Sequence, residues 1–283
     1  MPNTFVVASC AATFGIFDTT GLERLEAAGC TVRINPYGRP LTGDEIVNLA
    51  YDCDAIILGN DHLEATTMDR LPRLRLIARH GAGCDGIDFA EAMSRGITIT
   101  NTPGANCEET ADLTFALILD LARMITQTVT QLKSGVWNKI PGRSLYGKTI
   151  GIIGVGAIGM AVAARAMGFG MDILGYDIIQ RPEASRYGLL YTSLDELLAK
   201  SDIVTIHAPL TSATRNLLGA REFRHMKEGA LLINTALGLC ASLPSNARSL
   251  LGIWEAMQWM STRMSHPLCP RCTRCPTCLR RRI

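Results

Sequence analysis

An α/β fold of parallel sheets covered by helices is what this sequence predicts, and three observations predict it. Short β-rich runs alternate with helix-length amphipathic segments over residues 1–238, the rhythm of a parallel sheet with helices on both faces. A long apolar segment, Thr110 to about Gln131, interrupts that rhythm and reads as a hinge helix between two such units. With 283 residues, 47% apolar and 19% charged, the chain is a globular protein of one or two domains with room for sizeable cores.

The elements follow in order. Thr4 to Ala8 is a β-rich run, Leu22 to Ala28 a helix and Thr31 to Ile34 a second strand, which together begin a βαβ unit. Thr42-Gly-Asp-Glu45 forms a capping box ahead of the apolar positions Ile46, Leu49 and Ala50. Strands follow at Ala55 to Leu58, Leu74 to Ala78 and Ile97 to Thr100, the last after a helix closed by Gly96. In the hinge helix Leu113, Ala116, Leu117, Leu121 and Met124 make a buried stripe. A second capping box, Ser193-Leu-Asp-Glu196, starts a helix to Lys200, and Ile203 to Ile206 is a strand. A helix over Arg221 to Lys227 and a strand over Ala230 to Asn234 complete the rhythm, which stops near Gly238.

The stretch from Lys148 to Gly159 organises the second half. An apolar strand, Thr149 to Ile153, runs into Gly154, Gly156 and Gly159 and then into a helix of small residues, Ala157 to Met167. In a dinucleotide site these glycines allow the tight turn, the approach of a pyrophosphate and close helix–strand packing, and the helix N-terminus faces the phosphates with free N–H groups. The next strand, Met171 to Tyr176, ends on Asp177, 18 residues past the last glycine, where a carboxylate accepts hydrogen bonds from an adenosine ribose.

Two further loops stand at strand ends, Arg79 to Asp88 and Asn101 to Asp112. Gly81-Ala82-Gly83 could present bare N–H groups to a carboxylate or could be a structural turn, and spacing alone leaves both open.

Taken together these residues resemble the D-isomer-specific 2-hydroxyacid dehydrogenases, the family that includes phosphoglycerate dehydrogenase. The likeness runs from about Thr4 to Gly238 and rests on ordered motifs: R-x-G-x-G-x-D-x-I-D at Arg79 to Asp88, N-T-P-G-x-N at Asn101 to Asn106, the glycine fingerprint with Asp177, and H-x-P-L-T-x-x-T at His207 to Thr214 with I-N-T-A at Ile233 to Ala236. It implies a flavodoxin-like substrate domain over residues 1–105 and a Rossmann NAD-binding domain over 106–238, incomplete as written. By the same resemblance the backbone at Gly81, Ala82 and Gly83 would hold the substrate carboxylate, with Asn106 close by. The pyrophosphate would sit over Gly154, Gly156, Ala157, Ile158 and Gly159, and Asp177 would favour NAD over NADP. His207, Ala208, Pro209 and Thr214 would flank the adenosine side and Ala236 the nicotinamide, so that His207 is not a catalytic residue.

Family chemistry needs an arginine directly after I-N-T-A, a glutamate in a D-V-x-x-x-E-P segment and a histidine in a T-P-H segment. Here Leu237 occupies the arginine slot, neither later segment appears, and no catalytic residue is assigned. The composition changes at the same place. Residues 1–238 hold 21 Lys and Arg against 25 Asp and Glu, whereas the last 45 hold seven Arg, one acid and five of the ten cysteines. The run Cys269 to Cys278 has three consecutive two-residue gaps, too tight to wrap a tetrahedral ion, so no metal is expected, and the Arg-rich end reads as a solvated segment.

Out-of-frame translation explains this tail better. Reading the last base of each codon with the first two of the next, and choosing permitted synonyms, Leu251 to Pro267 gives G-D-L-G-G-Y-A-M-D-V-Y-E-D-E-P-P, and Cys275 to Ile283 gives P-D-V-F-A-T-P-H. These are the absent glutamate and histidine segments in order. Loss of one base from an arginine codon would yield Leu237 and begin that frame. As written, the chain is expected to lack the last Rossmann strands and the helix that returns to the substrate domain, and to be poorly stable or aggregation-prone.

Three functions follow. The first is an NAD-dependent oxidoreductase interconverting D-2-hydroxy and 2-oxo acids, the second a non-catalytic NAD(H)-binding protein acting through partners, and the third a metal-stabilised interaction tail. No apolar run of membrane length and no secretory leader is evident, so a cytoplasmic protein is expected, with a small 2-hydroxy or 2-oxo acid as its ligand, no nucleic-acid or membrane partner, and possible homodimers.

Overall fold

The computed structural model describes residues 5–236. Two five-stranded parallel sheets follow one another along the chain. In the first, the strands are β1 (Val6–Ser9), β2 (Thr31–Ile34), β3 (Ala55–Leu58), β4 (Leu76–Arg79) and β5 (Thr98–Thr100), in the order β2-β1-β3-β4-β5. The helices α1 (Thr20–Ala27), α2 (Gly43–Ala50), α3 (Ala65–Met68) and α4 (Phe89–Ser94) connect them. The all-apolar β3 lies at the centre, completely buried, because both its faces are covered. Ala8, Cys10, Ile56, Leu58 and Ile77 pack beneath Ile46, Val47 and Met68 on one face, while Val7, Ala55 and Ile57 meet Phe14 and Leu25 on the other.

In the second sheet, β6 (Thr149–Ile153), β7 (Asp172–Tyr176), β8 (Leu189–Tyr191), β9 (Ile203–Ile206) and β10 (Leu231–Asn234) lie in the order β10-β9-β6-β7-β8. The helices α5 (Cys107–Arg123) and α6 (Ile125–Lys133) precede β6, α7 (Ala157–Gly168) follows it, and α8 (Leu194–Lys200) and α9 (Ala220–His225) come later. The core on one face joins α5 and α7 through Ala111, Phe115, Ile118, Val162 and Ala166, and the core on the other joins α8 and α9 through Leu197, Leu198, Leu218 and Met226. Small residues on α7 let α5 lie close, and Arg165 of α7 pairs with Glu108 and Asp112 of α5. Both sheets are thus doubly wound, as the alternation implied.

Capping chemistry set several boundaries. The Thr42 hydroxyl accepts from Glu45 N–H while the Glu45 carboxylate accepts from Thr42 N–H, the reciprocal box read from the sequence. At α8 one arm is present: the Ser193 hydroxyl accepts from Glu196 N–H, but the Glu196 carboxylate turns to Thr192 and Lys200.

The hinge helix departs from expectation twice. It breaks at Met124, which adopts a left-handed conformation (φ 56°), and the two pieces meet at 64°. Asp120 stabilises the break by accepting from the Thr126 N–H at 2.7 Å and its hydroxyl at 2.9 Å, so a side chain of α5 caps α6. The buried stripe is Ala111, Thr114, Phe115, Ile118 and Ala122, and Leu113 is 49% exposed. Periodicity was correct and its phase was not, because α5 is apolar on more than one side and packing against α7 and the sheet selects the face. Among the described residues no single helix is long and apolar enough to cross a membrane. Leu237 and the Arg- and Cys-rich run to Ile283 lie outside the described residues.

Candidate active site

All the loops singled out in the sequence fall at the carboxyl ends of parallel strands, where ligands of open α/β sheets bind. In the second sheet the order reverses between β6 and β9, and the glycine turn leaves β6 at that switch point.

Each glycine of the turn meets a different constraint. Gly154 has φ +89°, and a Cβ there would lie 2.6 Å from Ala208 N, against the loop that follows β9. A Cβ on Gly159 would lie 2.2 Å from the Gly154 carbonyl oxygen, so the closeness of α7 to β6 requires its absence. A Cβ on Gly156 would meet nothing within 4 Å. That glycine opens space above the N-terminus of α7, where Ala157, Ile158 and Gly159 carry the N–H groups that a first helical turn leaves without intrahelical acceptors. An approaching anion finds both room and donors there.

Asp177 closes the turn from β7. Its carboxylate accepts from the Val155 N–H at 2.7 Å and the Ile179 N–H at 3.0 Å, and Arg181 Nη1 lies 3.7 Å away. The carboxylate is therefore fixed beside the glycine turn. The residues present fit a dinucleotide: a glycine cradle open to solvent, a helix N-terminus and an anchored acid.

At the end of β9, His207 is held between two hydroxyls, Thr205 Oγ1 at 2.9 Å from Nε2 and Thr235 Oγ1 at 3.3 Å from Nδ1. Burial pushes its pKa down to about 4, so the ring is neutral at pH 7 and joins the ends of β9 and β10. Ala208 contacts the Gly154 turn, and the Thr214 hydroxyl donates to the Pro209 carbonyl at 2.6 Å and accepts from the Thr211 N–H at 2.8 Å. Thr214 is thus committed to shaping its own loop. The Ala236 N–H donates to the Asn234 side chain at the end of β10.

The loop after β4 is built from side chains. Arg79 donates through Nε to the Gly83 carbonyl at 2.7 Å, through Nη1 to the His80 and Leu58 carbonyls, and through Nη2 to Asn60 Oδ1 at 3.0 Å. Asn101 Nδ2 donates to the Ala82 carbonyl at 2.8 Å, and the Thr102 N–H to the Gly81 carbonyl at 3.1 Å. Every carbonyl from His80 to Gly83 is engaged. The Ala82 and Gly83 N–H groups have no acceptor among the described residues, and both residues are exposed. With these carbonyls taken, the Ala82 and Gly83 N–H groups are the backbone donors of the loop left without a protein partner among the described residues. Asn106, the N-cap of α5, makes its bonds to Thr110 through its carbonyl, so Asn101 and Thr102 are the residues of that motif that touch the loop. Arg79 and Asn101 head motifs read from the sequence but were given no role there, because Leu58 and Asn60, acceptors of Arg79, and Ala82, the acceptor of Asn101, are remote in the chain.

A family profile described as the D-isomer-specific 2-hydroxyacid dehydrogenase catalytic domain matches residues 11–164, and that of the NAD-binding domain matches residues 115–242. The chain belongs to this family. D-2-hydroxyacid dehydrogenases of this kind are NAD-dependent oxidoreductases, and NAD is the cofactor of the second unit. The chain is 38% identical over 233 residues to a glyoxylate reductase from Korarchaeum cryptofilum, covering 80% of this chain and 70% of that protein. It is 38% identical over 201 residues to a hydroxypyruvate reductase from Thermotoga maritima, covering 70% and 65%. The crystal structure of the TT0316 protein from Thermus thermophilus superposes with a TM-score of 0.74 at 34% identity, covering 84% of this chain and 76% of that one.

Proposed function

We propose that residues 1–105 bind a small 2-oxo or 2-hydroxy acid and residues 106–238 bind NAD, so that the gene's ancestral activity is reduction of a 2-oxo acid such as glyoxylate or hydroxypyruvate. The observation that carries this reading is the nest at Ala82 and Gly83, a carboxylate-sized pair of free N–H groups in the same chain as the glycine turn and Asp177. Two separate sheets, ending at Thr100 and beginning at Thr149, support a division near residue 105. When bound, the cofactor supplies a hydride to C2 of the oxo acid. The protein's own part is to hold the carboxylate on Ala82 and Gly83 with Gly81 shaping the turn, to hold the pyrophosphate on Gly156, Ala157 and Ile158, and to fix the ribose on Asp177. His207 stays neutral and structural.

A specific observation favours binding without turnover. Leu237 stands where the family places the arginine that orients the oxo acid, and the glutamate and histidine segments are readable only in the shifted frame. We therefore infer that residues 239–283 are an out-of-frame product, and that the chain as written binds NADH while reducing glyoxylate and hydroxypyruvate at no measurable rate. Fluorescence titration with NADH, beside a turnover assay with both acids, tests this: saturable binding without turnover is expected. Turnover by the chain as written would refute the inactive reading, and absence of NADH binding would refute both. Sequencing the gene around codon 237 tests the shift directly, since no lost base relative to close relatives would exclude it.

We further infer that two copies associate through α5, α6 and the segment that follows α6, where Leu113, Ile125, Val129, Leu132 and Trp137 are exposed. Sedimentation velocity is expected to give a dimer, and a monomer at high concentration would contradict the inference.

A further inference from the structure

The acid that follows β7 does not stand alone. Arg181, four residues beyond Asp177, folds back so that its Nη1 donates to the Val155 carbonyl at 2.8 Å, while the Val155 N–H on the same residue donates to Asp177. The two side chains therefore bracket Val155 in the glycine turn, their charged groups 3.7 Å apart. Arg181 is anchored at its backbone as well, since its N–H donates to the Tyr191 hydroxyl at 3.0 Å. Its Nε and Nη2 groups have no acceptor among the described residues, and its side chain is 37% exposed. A guanidinium held in place with free donors along one edge is a fork for phosphate oxygens.

An isolated acid at this position selects against a 2′-phosphate by like-charge repulsion, whereas an arginine nearby accommodates one. Here both are present, and the acid already accepts from two backbone N–H groups with a cation beside it. We propose that the Asp177–Arg181 pair gives the adenosine end of the pocket dual specificity, the carboxylate accepting a ribose 2′-hydroxyl and the guanidinium a ribose 2′-phosphate, so that the chain binds NADPH as well as NADH. The proposal rests on the cofactor pocket described above, and it replaces the NAD preference expected of Asp177 alone with a weaker one set by two residues.

Fluorescence titrations of the full chain with NADH and with NADPH test it without any need for turnover. Wild type is expected to bind the two within about tenfold of each other, the offset of one charge by another at short range. Arg181→Gln is expected to weaken NADPH by about tenfold or more while changing NADH by less than about threefold, and Arg181→Lys, which keeps the charge but not the fork, to fall between. Raising salt should weaken NADPH more than NADH in wild type. Thermal stabilisation by 2′-AMP compared with 5′-AMP reads the same subsite with fragments, and 2′-AMP is expected to lose its effect in Arg181→Gln. Equal weakening of both cofactors in Arg181→Gln would show that the arginine merely supports the turn, and a wild-type preference for NADH beyond about a hundredfold would show that Asp177 decides alone. Either result overturns the proposal while leaving the cofactor pocket standing. Failure of wild type to bind either dinucleotide would instead overturn the pocket itself.

Discussion

The two loops proposed to face anions leave backbone donors free by different means. Above β6 the donors belong to the N-terminus of α7, and backbone packing makes the cradle: Gly159 against the Gly154 carbonyl, Gly154 against Ala208. Above β4 no helix begins at the nest, and the donors at Ala82 and Gly83 are freed because Arg79, Asn101 and Thr102 take the neighbouring carbonyls. The first loop is fixed by covalent geometry and close contact. The second depends on long side chains whose positions cost conformational entropy to hold. A backbone cradle should therefore fail abruptly when crowded, and a side-chain nest should loosen gradually when a donor is removed.

The largest effect expected comes from crowding the cradle. Gly159→Ala places a methyl against a backbone oxygen that cannot yield without parting α7 from β6, and it should cost about 3 kcal/mol or prevent folding of the second unit, as read by chemical denaturation. Gly156→Ala faces open space, and its stability should change by less than about 0.5 kcal/mol while NADH binding is lost. If the two variants behave alike, the glycines do not have the separate roles assigned to them.

His207 provides the next effect, since it is the side-chain joint of the backbone-held half. Its folded pKa of about 4 lies below the ordinary value of 6.5, so the unfolded chain takes up the proton first and stability falls with pH. Between pH 7 and pH 5 the loss should reach about 2 kcal/mol, and it should be complete only below pH 4. Glu45, Asp54 and Asp202, with carboxyl pKa values held below their ordinary range, add their losses at lower pH, whereas Asp61, whose pKa burial raises, offsets part of the loss as pH falls. His207→Gln should flatten the denaturation free energy between pH 7 and pH 5, and an unchanged slope would place the titration elsewhere.

Smallest is the loosening of the nest. Arg79→Gln should cost about 1 kcal/mol, because the carbonyls it releases are close to solvent and water can replace the donor. Hydrogen exchange measured over residues 80–84 should nevertheless accelerate, with the region around Gly156 unchanged. Protection equal to wild type would mean that Asn101 and Thr102 suffice.

Much of this architecture was legible before the structure. The bounds of β3, β6 and β9 match the apolar runs, since a strand buried on both faces has little room for polar residues. The capping box at Thr42 was readable because its partners are three residues apart. The site was legible only in part. The glycine turn and Asp177 could be located by spacing, while the partners that shape the loop at Gly81 to Gly83, Asn101 and Thr102 among them, could not. The 3₁₀ turn Pro182–Tyr187 and the edge strand β8 carried no clear period in three to six residues. Met124 broke a helix that periodicity would have continued, because its cap comes from Asp120 on the preceding helix.

What the sequence by itself determined is whatever depends on neighbours in the chain: parallel α/β rhythm, a glycine turn whose three residues are read by spacing, and an acid at the end of the following strand. The tertiary structure decided the pairings between segments far apart. It brought Arg79 to the Leu58 carbonyl and the Asn60 side chain, turned Arg181 back onto Val155, and chose Ala111, Phe115 and Ile118 over Leu113 as the buried face of α5. Hydrogen-bond donors on long side chains reach several partners, and an apolar helix offers several faces. Packing selects among them, and in this chain that selection places a guanidinium beside Asp177.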